Sequence, residues 1–114
     1  MFKVVKIGDK EVPMMAMAST DIYYKRVFGE DPLKIVTEQG TGESTGLLYN
    51  MGFILAKQAE LRDRKKMLLL NEDAFIEWLE QFEYSDYLEA LSDIASVYYG
   101  NKAISSQEKK ENDQ

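Results

Sequence analysis

Any chemistry in this 114-residue chain has to be done without imidazole or thiol, because the sequence contains no histidine and no cysteine. The commonest general base, the commonest metal ligand and the thiolate nucleophile are therefore missing together. Carboxylates, lysines, tyrosines and hydroxyls remain, and two stretches group them closely enough to weigh. Gly40 to Gly46, "GTGESTG", is dense in glycine and hydroxyl and suggests a phosphate cradle. No Lys-Ser/Thr pair follows Gly46 and no apolar strand precedes Gly40, so the phosphate-loop pattern fails. Glu72 and Asp73 offer oxygens to Mg²⁺ or Ca²⁺, but no calcium-loop spacing surrounds them. An acidic pair directly after Asn71 is better explained as the first turn of a helix. The expectation is a protein with no catalytic residue, no cofactor and no metal site, one that binds rather than reacts.

Composition narrows what it binds. The formal charge is −6 with a pI near 4.7, and an acidic balance disfavours the nucleic-acid backbone, which is held by Lys and Arg. The apolar share of 45% is a globular value, so one folded domain over residues 1–100 is expected. From Asn101 on, "NKAISSQEKKENDQ" is almost wholly polar and reads as a disordered tail. No apolar run is long enough for a signal peptide or a bilayer span, so an intracellular, soluble protein without membrane partners is expected. Charge is uneven along the chain. Lys57, Arg62, Arg64, Lys65 and Lys66 crowd one region, whereas Met67 to Asn101 holds eight acids and no Lys or Arg. The plain reading is two solvated faces. The sharper one is a seam between copies of the chain, with Arg62, Arg64 and Lys65 of one against Glu77 and Glu80 of another.

The elements that must position these groups are mostly helical. "FKVVKIGDKEVPMMAM" reads as a β-hairpin over residues 1–17, turning at Gly8-Asp9, with Pro13 suited to an edge strand. Helices then fill 19–100. Ser19 or Thr20 caps the first. Gly29 ends it as a left-handed C′ residue, and Asp31-Pro32 starts a second that runs to about Glu38. A long helix from Thr45 to Lys66 is apolar nearly all round, with Leu48, Met51, Leu55 and Ala59 on one stripe and Tyr49 and Phe53 on another. Asn71 caps a helix carrying Phe75, Trp78, Leu79 and Phe82. Ser85 or Asp86 starts the last one, with Tyr87, Leu91, Ile94 and Tyr98 as its stripe and Gly100 as its end. The fold class is therefore mainly α, a small helical bundle with a short N-terminal β-hairpin.

The stretch "YYKRVFGEDPLKIV", residues 23–36, has the outline of a DNA-reading helix pair. Its cations are Lys25, Arg26 and Lys34, with Glu30, Asp31 and Glu38 against them, which is poor for a reading helix. A joint between two core helices, with Tyr24 and Phe28 inside, explains it better. Apolar residues beyond what one stripe needs are the candidates for a partner face: Tyr49 and Phe53, with the adaptable cluster Met14, Met15 and Met17.

The order of these pieces resembles the tail assembly chaperones of long-tailed phages and prophages of Gram-positive bacteria. The resemblance rests on Tyr24-Lys25-Arg26-Val27-Phe28-Gly29-Glu30-Asp31, on the Ala/Met/Leu-rich "LLYNMGFILAKQAE", and on Phe75-Ile76-Glu77-Trp78-Leu79. In that family Tyr24, Phe28, Gly29, Asp31, Trp78 and Leu79 would be structural. The resemblance implies a non-enzymatic, self-associating protein of the host cytoplasm that is absent from the finished virion. It would keep the tape-measure protein soluble until the tail tube forms around it, with the major tail protein as a further candidate partner. It also implies a longer product made by ribosomal slippage, for which the codons of Lys109-Lys110 are the candidate site. The rival expectation is an acidic regulatory or inhibitor module of a mobile element, acting on one folded protein.

Overall fold

A computed structural model describes residues 1–39 and 45–100. Residues 40–44, within the glycine-rich stretch, and the expected tail from Asn101, Lys109 and Lys110 included, lie outside them. Two strands, β1 (Phe2–Ile7) and β2 (Lys10–Met15), precede six helices: α1 (Thr20–Phe28), α2 (Pro32–Gln39), α3 (Thr45–Leu61), α4 (Arg64–Leu68), α5 (Glu72–Leu79) and α6 (Tyr84–Glu89). A last helical segment, α7, occupies residues 91–100. The fold is mainly helical with an N-terminal antiparallel hairpin, as the sequence implies.

The hairpin pairs Phe2 with Met15, Val4 with Pro13, Val5 with Val12 and Ile7 with Lys10. Its two-residue loop has Gly8 at φ 63, and Asp9 is not among the positive-φ residues, the sign pattern of a II′ turn with glycine first. Alternation sends Val5, Ile7 and Met14 into the core, where they are fully buried. The hairpin is thus a wall of the core rather than an appendage. β2 lies along α3, and β1 lies beside α6 and α7, where Lys3 pairs with Asp93 at 3.2 Å.

α3 is the centre. Leu47, Met51, Gly52, Phe53, Ile54, Leu55 and Ala56 are all buried, so the helix is enclosed on most sides by β2, α1, α4 and α5. A chain of rings surrounds it. Tyr24 meets Phe28 at 4.8 Å between centroids, Phe28 meets Phe75 edge-on at 5.0 Å, and Phe53 sits 5.4 Å from Phe75 and 5.8 Å from Trp78. Trp78 continues to Phe82 and Tyr87. Two segments almost fifty residues apart, Tyr24 to Asp31 and Phe75 to Leu79, therefore meet through Phe28 and Phe75.

The joints follow local chemistry. Gly29 has φ 78 and its N–H reaches the Lys25 carbonyl at 2.8 Å, the left-handed stop expected of it. Asp31 Oδ1 accepts from the Leu33 N–H at 3.0 Å, and Asn71 Oδ1 from Ala74 at 2.9 Å. Several details differ from expectation. The helix begun at Asn71 stops at Leu79, so Phe82 lies beyond it. The long helix ends at Leu61 rather than Lys66, because Arg62 takes φ 51 and the Asp63 carboxylate caps a new helix through the Lys65 N–H at 2.9 Å. The last helix starts after Glu83, not at Ser85 or Asp86, and breaks at Ala90 into α6 and α7. Ser19 stands at the N-cap of α1 but makes no capping bond, and Thr20, inside the helix, is committed elsewhere.

Candidate functional site

Thr20 and Gln58 are the buried polar residues among those described. The Thr20 hydroxyl accepts from the Met17 N–H at 2.8 Å and donates to Gln58 Oε1, while Gln58 Nε2 donates to Ser19 Oγ at 3.2 Å. This network pins the start of α1 to the far end of α3, and no described buried side-chain polar atom lacks a partner. Beside it opens a cleft of about 480 Å³. Met15, Met17, Tyr23 and Met67 line it together with the polar Ser19 and Gln58 and the charged Arg62, Asp63 and Arg64. Unbranched, polarizable methionine side chains adapt to irregular partners.

Next to the cleft lies the outer face of the hairpin. Phe2, Val4 and Pro13 are exposed there and Met15 is half-buried, with Phe2 opposite Met15 and Val4 opposite Pro13. Phe2 is 53% exposed and Val4 47%, and Met17, past the strand end, is 55% exposed. Lys6 and Glu11, also paired, close this face with charge at the turn end.

The structure separates the residues that the sequence assigns to a partner face. Met15 and Met17 lie at the cleft. Met14 is fully buried in the core, because the strand's alternation turns it opposite to Met15. Phe53 is 0% exposed and packed against Phe75 and Trp78, so it is a core residue and not a binding one. Tyr49 is half-buried, its ring edge-on to Tyr87 at 4.8 Å. Phe→Ala changes in cores cost roughly 3–5 kcal/mol, so substitution of Phe53 reports on folding and carries no information about binding. Arg62, Arg64, Lys65, Glu77 and Glu80 are all exposed. Tyr24 and Trp78 are buried, Phe28 and Leu79 are partly buried against the core, and Gly29 and Asp31 stand at the joint. The sequence alone does not single out Tyr23, Met67, Phe2 and Val4. For the last two a signal exists: β1 is apolar in both phases of its alternation, Phe2 and Val4 as well as Val5 and Ile7.

The perturbed groups are tyrosines tied to the fold. Burial raises the Tyr87 phenol well above its usual range, and its hydroxyl donates to the Tyr49 carbonyl at 2.5 Å. Tyr98 is raised by burial and by donating to Asp21 at 2.7 Å, and Tyr24 by burial against a smaller opposing bond from Asn50. None of these three lines the methionine cleft. Among the described residues no three acids gather as a metal site would require, and no helix is long and apolar enough to cross a membrane. Comparison with protein-family models, curated proteins and solved structures finds no match to this chain.

Proposed function

We propose that this chain is a non-catalytic binding protein that keeps an apolar helical partner soluble, acting as a tail assembly chaperone for a phage tape-measure protein. The observation that carries the reading is apolar surface beyond the needs of the core, on the outer face of the hairpin and continuing through Met15 to Met17 and the cleft. A long helical chain without its tube presents apolar stripes to water, and a holder must cover them with apolar surface of its own. The motif resemblance supplies the identity of the partner. In this reading the protein works in the host cytoplasm before the tail closes and leaves before the virion is complete. A contact of this kind contributes roughly 1–2 kcal/mol per anchoring side chain, so holding depends on repetition along the partner.

Co-expression with the tape-measure protein of the same genetic element tests it. The chain should raise the soluble yield of that protein, and the triple variant Phe2→Ser, Val4→Ser, Met17→Ser should return the yield to the level without it. Far-UV circular dichroism of the variant checks that the fold is intact. A wild-type chain without effect on the yield would sink the reading, as would a folded variant that works as well as wild type. The cation-free acidic run from Met67 to Asn101 favours a second reading, an acidic regulator of one folded protein. That reading gains if the tape-measure protein stays insoluble.

A further inference from the structure

One backbone joint in this fold goes against the preference of its own residue. Gly8, Gly29 and Gly100 take positive φ, as glycine does readily, and Arg62, at φ 51, is the one non-glycine among the described residues that does the same. Nothing in the local sequence calls for a break there. No glycine or proline occurs from Phe53 to Tyr99, and Glu60 to Lys66 is, Asp63 apart, a run of strong helix formers. Two features hold the bend. The Asp63 carboxylate accepts from the Lys65 N–H at 2.9 Å, and Met67, 5% exposed, is the buried residue of α4. Leu68 and Leu69 are left 46% and 77% exposed, and the hydrogen bonds of α4 stay within residues 63–70. A short helix anchored by one methionine and one cap is thus set against a strained residue.

We propose that α4 is a flap with two positions. In the one described, it folds back and Met67 lines the cleft. In the other, Arg62 and Asp63 become helical, α3 runs on to Lys66, and residues 67–70 link it to the Asn71 cap. The exchange relieves Arg62 and puts Arg64 four residues after Glu60 on one helix, the favourable order for that pair. It gives up the Asp63 cap and the burial of Met67, which is why the bent form prevails. Five more helical residues lengthen α3 by about 7.5 Å, and the six residues of chain from Lys66 to Glu72 reach roughly 20 Å, so α5 can keep its place against Phe53. The extended form removes Met67 and Arg64 from the cleft. An apolar side chain seated against Met67 therefore favours the bent form, and extension gives it a way out. A holder must let go as well as grip, and the flap supplies the second step. That use of the flap rests on the cleft being the partner's seat, whereas the flap itself does not.

Nuclear magnetic resonance relaxation dispersion of the protein alone tests it. Residues 61–69 should exchange on the microsecond-to-millisecond scale with a minor state whose Cα shifts at Arg62 and Asp63 are helical. Trp78, in the aromatic core, should show no matching exchange. Asp63→Ala loses the cap and gains helix propensity, so the minor population should rise about tenfold. Arg62→Gly favours the bent form on both counts, and should lower it by about as much. Coil-like shifts in the minor state would mean that α4 only frays, and would overturn the proposal. So would matching exchange at Trp78, which marks global opening, a rise of the minor state in Arg62→Gly, or no exchange in wild type and Asp63→Ala alike. If the helical minor state is present and the tape-measure protein still stays insoluble on co-expression, the flap stands and the reading of the cleft falls.

Discussion

Gly52 is the residue at which one added carbon would be felt most. A Cβ there would overlap the Tyr87 hydroxyl and come within 3.0 Å of Ile94 Cδ1. The hydroxyl has little freedom to retreat, because it is held 2.5 Å from the Tyr49 carbonyl one turn back along the same helix. Replacing a helical glycine by alanine gains about 1 kcal/mol in propensity, but overpacking a filled core costs roughly 1–3 kcal/mol. The tether decides the sign, and Gly52→Ala should destabilise by up to about 2 kcal/mol. Removing the oxygen removes the overlap, since the ring carbon behind it would lie 3.4 Å from the new Cβ, an ordinary contact. Tyr87→Phe alone should cost about 1 kcal/mol for its buried hydrogen bond. The double variant should then be more stable than the sum of the singles implies, a coupling that urea denaturation of all four proteins measures. Strict additivity would mean that the helices shift apart instead.

At the scale of elements, the joints rather than the helices set the arrangement. Gly29 and Arg62 both adopt left-handed backbone, at φ 78 and φ 51, and opposite substitutions there should have opposite signs. No atom lies within 4 Å of where a Gly29 side chain would start, so Gly29→Ala should lose only the backbone preference, about 1–2 kcal/mol. Arg62→Gly should relieve that same preference at the α3–α4 joint and leave stability unchanged or raised by up to about 1 kcal/mol. Thermal unfolding of the two variants checks the pair of signs. A destabilising Arg62→Gly would mean that the arginine side chain contributes more than its backbone costs. α4 exists because of this joint. Had the helix run on to Lys66, Met67 would not face the cleft and the cations would not edge it.

For the molecule as a whole, the buried phenols make stability depend on alkaline pH. Tyr24, Tyr87 and Tyr98 lie on α1, α6 and α7, and each has its pKa raised above the ordinary value of 10.0, Tyr87 and Tyr98 most. Burial is the leading cause in all three. A raised phenol keeps its proton in the folded chain while the unfolded chain loses it, so above about pH 10 the unfolded state binds fewer protons. The stabilisation is complete below the unfolded pKa and falls as pH climbs from there toward the folded one. Loss of helix and appearance of the last phenolate absorbance should therefore coincide, and Tyr98→Phe should flatten the alkaline limb. Full phenolate absorbance in a chain that is still helical would contradict this. The rings concerned join the N-terminal and C-terminal helices around α3, so a local loss is not expected to stay local.

The sequence determined a good deal by itself. The hairpin with its turn at Gly8, the stop at Gly29, the caps at Asp31 and Asn71 and the central place of the helix around Met51 were all legible, because each depends on a few adjacent residues or on a sustained period. Tertiary structure alone decided which apolar residues are surplus. Phe53 and Met15 look equally available in sequence. The aromatic chain from Phe28 to Trp78 closes over Phe53, while the strand's alternation hides Met14 and leaves Met15 at the cleft. The break at Arg62 is equally out of reach, since an arginine in left-handed backbone goes against its own preference. Burial is a sum over contacts from distant segments, and no window along the chain contains that sum.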